Sequence, residues 1–132
     1  FLAKRAKFAY GIEIVEPAIR DAVKNAKDNG VKNANFMCGD AAYKLPELLR
    51  SGVKPDVIVI DPPRAGCEEK VLNAIASVKP KRVVYVSCNP ATLARDLAYM
   101  KTRGYETQKV QPVDMFPQTH HIEAVALLVR ER

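Results

Sequence analysis

Two apolar runs rich in β-branched residues, Val57-Ile58-Val59-Ile60 and Val83-Val84-Tyr85-Val86, each stop abruptly at chemistry. Asp61-Pro62-Pro63-Arg64 follows the first and Ser87-Cys88-Asn89-Pro90 the second. Continuous apolar strands of this kind belong to a parallel sheet buried on both faces, where reactive groups sit just past the carboxyl ends of the strands. An Asp at one such end and a Cys at another therefore point to one shared crevice.

From end to end the chain alternates such runs with amphipathic stretches of helical length, the pattern of βαβ units around a largely parallel sheet. Strands are expected near Phe8 to Val15, Asn35 to Cys38, Val57 to Asp61, Arg82 to Ser87, Thr107 to Asp114 and Ile122 to Val129. The first full helix should start at Glu16-Pro17, where Pro suits the first turn, carry Ile19, Ala22, Val23 and Ala26 on one face, and stop at Asn29-Gly30. Others are expected near Ala42 to Ser51, Glu68 to Val78 and Ala91 to Arg103. Met115 to His121 leaves no room for a helix, so the last two strands should pair antiparallel. The six glycines, at 11, 30, 39, 52, 66 and 104, stand too far apart to build a Gly-rich nucleotide turn.

A chain of 132 residues, 48% of them apolar, suffices for one domain with its own core. The formal charge of +6 favours an anionic partner such as nucleic acid, although such an excess also occurs on ordinary soluble proteins. Cysteines at 38, 67 and 88 form no Cys-x-x-Cys pair and no zinc spacing, which argues against a closed disulfide framework and for a reducing, cytoplasmic setting. No run approaches the ~18 apolar residues a membrane span needs, and the first seven residues are too short and too basic for a signal sequence. Phe1 stands where an initiating Met would, so the chain is expected to be a piece of something longer.

Five segments occur in a telling order: Tyr10-Gly11-Ile12-Glu13-Ile14, Cys38-Gly39-Asp40-Ala41, Asp61-Pro62-Pro63-Arg64, Ser87-Cys88-Asn89-Pro90 and Phe116-Pro117-Gln118-Thr119-His120-His121-Ile122-Glu123. Together they closely resemble the catalytic domain of the RNA uracil-5-methyltransferases, S-adenosylmethionine-dependent enzymes that act on tRNA or ribosomal RNA. The resemblance covers nearly the whole chain. It implies an α/β fold, a Rossmann-like class I methyltransferase sheet with helices on both faces and the last strand antiparallel. Members of the family carry an earlier strand and an Asp-x-x-Cys-Gly-x-Gly turn that hold the methionine part of the cofactor, together with upstream RNA-binding segments and sometimes an iron–sulfur cluster. Residues 1–132 are thus expected to be the C-terminal part of a catalytic domain, truncated by its central strand, binding cofactor poorly alone and holding no metal. Ribosomal RNA is favoured over tRNA as the partner, and no membrane partner is expected.

The resemblance also assigns roles that the residue types can fill. Glu13, at a strand end, would accept hydrogen bonds from the cofactor ribose hydroxyls, with a surface Glu as the plain alternative. Asp40 would accept from the adenine amino group, cap the next helix, or do both. Asp61, stiffened by two prolines, would orient the uracil ring or the cofactor. Arg64 stands where amino-methyltransferases place a stacking aromatic, and is left for a phosphate or an internal ion pair.

Cys88 carries the strongest chemical case. Uracil carbon 5 is a poor nucleophile, and thiolate addition at carbon 6 converts the ring to an enolate able to attack a methyl sulfonium. A sulfur just before a helix would gain from the N-terminal field that favours thiolate. The carbon 5 proton must then leave, and Glu123, on the last strand, fits as base. His120 and His121 would point to opposite faces if they lay in a strand and have no third histidine, so they are expected to position Glu123 or touch RNA rather than hold a metal. Cys67 lies six residues past Asp61, off the position a cytosine-5 enzyme would need, and Thr92 is expected to cap the helix after Cys88. Lys79, Lys81, Arg82, Lys101 and Arg103 read as a solvated basic face. Two other functions stay open: a non-catalytic RNA-binding module on the same scaffold, and an RNA amino-methyltransferase.

Overall fold

The computed structural model describes residues 1–131. After a 3-10 turn at Leu2–Lys4 the elements alternate: β1 (Ala9–Glu13), α1 (Glu16–Asp28), β2 (Ala34–Cys38), α2 (Ala41–Arg50), β3 (Val57–Ile60), α3 (Glu69–Val78), β4 (Arg82–Ser87), α4 (Pro90–Thr102), β5 (Tyr105–Val113) and β6 (Glu123–Arg130). Each expected strand and helix is present within a few residues of its expected bounds. Local chemistry sets several of these ends. Pro17 occupies the first turn of α1, and Gly30, at φ +64, lets the backbone N–H groups of residues 30 and 31 return to the carbonyls of Lys27 and Ala26. Asp40 and Asn89 cap α2 and α4 through side-chain bonds from the N–H groups of Ala42 and Ala91.

The strands form two sheets: β1 and β2 pair in parallel, and the other four run in the order β3-β4-β6-β5, with β3 and β4 parallel and β6 antiparallel to both neighbours. Among the described residues neither β1 nor β3 has a partner on its other edge. This interruption falls where the resemblance implies a further central strand.

Connectivity explains how the helices divide. The β1-α1-β2 crossover steps outward, whereas β2-α2-β3 returns past β1 and β3-α3-β4 continues that way; right-handed crossovers then put α1 on one face and α2 and α3 on the other. The reversal lies between β1 and β3, a topological switch point of the kind where α/β sheets bind ligands.

The core lies on the α3 and α4 side. Val83, Tyr85 and Ser87 of β4 stand opposite Leu128, Ala126 and Ala124 of β6, and these alternate residues are buried against Leu72, Ile75, Leu93 and Met100. β3 departs from expectation. It is not a fully buried strand: Val57 and Val59 are 45% and 44% exposed, while Ile58 and Ile60 pack against the core. An edge strand bare on one face exposes alternate side chains, whatever its apolar content.

Candidate active site

Strand register brings three of the expected residues together. The β4–β6 ladder ends at the Ser87–Ala124 pair, and Cys88 and Glu123 are the next residues along the two chains. The β3–β4 ladder pairs Ile60 with Tyr85, so one step further sets Asp61 beside Val86. Asp61, Cys88 and Glu123 therefore stand at one end of the sheet, just past Ile60 and Ser87 and at the start of β6. Glu123 and Cys88 are half-buried, and Asp61 is exposed.

Cys88 immediately precedes Asn89, the N-cap of α4, whose side chain accepts from the Ala91 N–H at 3.1 Å, and Pro90 opens the helix. The turn is closed by Ser87, whose hydroxyl accepts from the Asn89 N–H at 3.1 Å and donates to the Asn89 carbonyl at 3.0 Å. Thr92 is not the cap. It lies one turn inside, where its hydroxyl reaches the carbonyls of Asn89 and Arg64, because Asn89 already fills the capping position. Cys67, by contrast, is chemically quiet: burial, with the Asp96 carboxylate nearby, pushes its thiol up to about 11, so it stays protonated at neutral pH.

On the other side of the sheet interruption, Glu13 ends β1 level with Cys38 of β2. One Glu13 oxygen accepts from the Val15 N–H at 2.8 Å. Asp40 is more committed: Oδ1 caps α2 through Ala42 at 2.8 Å, and Oδ2 meets Lys70 Nζ of α3 at 3.0 Å. The Ala42 N–H and then Lys70 hold this carboxyl below its ordinary range. The capping role foreseen for Asp40 is thus realised, with a cation added that sequence inspection missed.

Arg64 makes no ion pair among the described residues; its backbone carbonyl is what engages the fold, accepting from Asn89 Nδ2 and Thr92 Oγ1 at 3.2 Å each. His120 and His121 lie in the β5–β6 connection, where the sequence reading put them, with ring centroids 4.1 Å apart and Phe116 edge-on to His121 at 6.4 Å. No group of three potential metal ligands converges among the described residues. The basic residues fall elsewhere. Lys79, Lys81 and Arg82 precede or begin β4, and Lys101 and Arg103 end α4, so all five sit at the pole opposite Cys88. Lys81 pairs there with Asp56 at 2.9 Å.

The acceptor set at the switch point suits an adenosyl cofactor in part. Among the described residues Glu13 keeps one carboxylate oxygen unbonded and Asp61 keeps both, whereas both Asp40 oxygens are engaged. Asp96 went unnoticed in the sequence. It is 1% exposed on α4 and bonded to the loop after β3. Its signal was a carboxylate on the inward stripe Leu93, Asp96, Met100 of an amphipathic helix.

The fold is that of an α/β methyltransferase domain of the class I kind. The sequence matches the family described as tRNA (Uracil-5-)-methyltransferase over residues 1–131, and the chain belongs to that family. An uncharacterized RNA methyltransferase of Caldanaerobacter subterraneus subsp. tengcongensis is 56% identical over 98% of this chain and 29% of its own length. Another, from Halalkalibacterium halodurans, is 59% identical over 97% of this chain and 28% of its length. The chain therefore spans less than a third of these relatives. Among solved structures, a Pyrococcus abyssi tRNA (uracil-54, C5)-methyltransferase in complex with S-adenosyl-L-homocysteine matches at 37% identity and TM-score 0.79, covering 97% of this chain and 30% of that one. An rRNA methylase from Streptococcus thermophilus shares the fold at 13% identity and TM-score 0.72, covering 99% of this chain and 78% of that one.

Proposed function

We propose that this domain carries the nucleophile and the base of an S-adenosylmethionine-dependent RNA uracil-5-methyltransferase. The supporting observation is the register of β3, β4 and β6, whose last pairs, Ile60–Tyr85 and Ser87–Ala124, leave Asp61, Cys88 and Glu123 at one end of the sheet. When bound, S-adenosylmethionine supplies an electrophilic methyl group. Glu13 and Asp61 are the residues placed to hold it or the target base, Asp40 contributing through the α2 cap.

Cys88 forms a bond from sulfur to uracil carbon 6, which pushes electron density onto carbon 5 and makes that atom the nucleophile. After carbon 5 is methylated, Glu123 takes its remaining proton. The C–H electron pair becomes the carbon 5–carbon 6 double bond as the carbon–sulfur bond breaks and Cys88 leaves as thiolate. A protonated Cys67 supports the choice of a single-cysteine route over a two-cysteine cytosine mechanism.

The acceptor is RNA. The sequence expectation of ribosomal RNA competes with tRNA, the acceptor named for the family and for the Pyrococcus relative. Three cysteines with no disulfide among them are in keeping with a cytoplasmic setting.

The test places the domain in a chain of its relatives' full length, with S-adenosylmethionine and separate tRNA and ribosomal RNA transcripts. Nucleoside mass spectrometry should find 5-methyluridine in one of them. Methylation on an exocyclic amine instead, or tight RNA binding with no methylation, would replace this reading by the amino-methyltransferase or the binding module. Glu123→Gln should still transfer the methyl group but accumulate the protein–RNA adduct, and rapid product release by that variant would remove Glu123 as the base.

A further inference from the structure

The loop that joins β3 to α3 carries Asp61 and Arg64, has no strand to pair with, and is held by one face of α4. Asn89 Nδ2 and Thr92 Oγ1 each donate to the Arg64 carbonyl at 3.2 Å, Arg95 Nη2 donates to the Ala65 carbonyl at 3.0 Å, and the Cys67 N–H donates to Asp96 Oδ2 at 2.8 Å. These helix positions recur every three or four residues, so they form a single stripe. The stripe starts one residue after Cys88.

Asp96 is the hub of this contact. Besides the loop N–H it accepts from the Tyr85 hydroxyl of β4 at 2.5 Å and from Arg95 Nε at 2.8 Å, while only 1% exposed. Gly66 makes the approach possible: at φ +81, a Cβ there would stand 2.5 Å from Arg95 Nη2 and 2.7 Å from Asp96 Oδ2. A buried carboxylate is costly, and an apolar side chain beside Leu93 and Met100 would serve packing as well. What the carboxylate adds is register between a loop, a strand and a helix. Pro62 and Pro63 stiffen the short path from Asp61 to the held Arg64 carbonyl, so the loop cannot slip at one end without moving the other.

We infer that Asp96, assisted by Thr92 and Arg95, is a positioning clamp that fixes the Asp61 loop against the Cys88 turn, and that the clamp governs formation of the Cys88 adduct. The catalytic half of this inference rests on the uracil-5 reading; the mechanical half does not.

Two readouts keep these separate, both in a chain of the relatives' full length. Hydrogen exchange reports the clamp: Asp96→Asn should release protection at the Cys67 amide and raise exchange through residues 61–67, with α3 and β4 still protected. Single-turnover trapping on 5-fluorouridine RNA reports its use. At saturating RNA and cofactor, Asp96→Asn should slow adduct formation on the order of 10- to 100-fold with little change in KM for RNA, as misplacement of reacting groups does. Thr92→Val leaves the buried carboxylate in place and removes only the hydroxyl on Arg64, so it should fold normally and slow the adduct about threefold to tenfold. Wild-type adduct rates in a folded Thr92→Val and a folded Asp96→Asn would overturn the clamp's catalytic role. Should Asp96→Asn fail to fold, a Thr92→Val protein with full adduct rate overturns it alone. Unchanged exchange at 61–67 in a folded Asp96→Asn overturns the clamp itself. If the wild type forms no adduct while its exchange pattern follows the clamp, the uracil-5 reading falls, and the inferred catalytic role falls with it.

Discussion

The β3-β4-β6-β5 half of the molecule and the β1–β2 half are built from the same βαβ grammar, yet only the first has a dense core. Every buried apolar residue except Leu45 lies between Leu72 and Leu128. α1 buries none of its residues and is dressed instead with the exposed i,i+4 pairs Glu16–Arg20 and Lys24–Asp28, each worth a few tenths of a kcal/mol. A two-stranded sheet offers a helix too narrow a platform to seal. The proposed roles follow the same division: Cys88 and Glu123, the proposed nucleophile and base, stand at the end of the packed half, while Glu13 and the capping Asp40 stand on the lighter one, held by short-range bonds.

Core truncation should separate the halves most strongly. Leu128→Ala removes a fully buried side chain facing Val83 and should destabilise the fold by about 2–5 kcal/mol in denaturant unfolding, whereas Val23→Ala on α1, 52% exposed, should stay within about 0.5 kcal/mol. Equal losses at the two sites would erase the contrast.

The smaller effect concerns Asp40. Its folded-state carboxyl titrates below the ordinary 3.8 because the Ala42 N–H and Lys70 favour the charged form. A depressed folded value means that the stabilisation is present above the unfolded pKa and drains away as pH falls through the folded one. Between about pH 5 and pH 3 the wild-type unfolding midpoint should therefore fall further than that of Asp40→Asn, which keeps a capping side chain without the titration. Parallel profiles would show that neither the Ala42 N–H nor Lys70 favours the charged form of Asp40.

Most of this architecture was legible in the sequence because its signals are local. Pro17 and Gly30 bracket α1, and the apolar runs mark β3 and β4. The candidate site could be proposed from the sequence as well, as strand-end residues in a recurring order. What escaped depends on partners distant in sequence. Lys70 reaches Asp40 across 30 positions, and Asp96 meets Cys67 across 29. The exposure of Val57 and Val59 also lay out of reach, since a run of Val and Ile reads alike at a sheet's edge and at its centre.

The most direct measurement is covalent trapping. With the domain in a chain of its relatives' full length, S-adenosylmethionine and 5-fluorouridine-containing RNA should leave a stable adduct, because fluorine at carbon 5 cannot depart as a proton. Peptide mass spectrometry should locate it on Cys88, and Cys88→Ala should form none while keeping its fold. An adduct on Cys38 or Cys67, or one that survives Cys88→Ala, would contradict the assignment of Cys88 as the nucleophile.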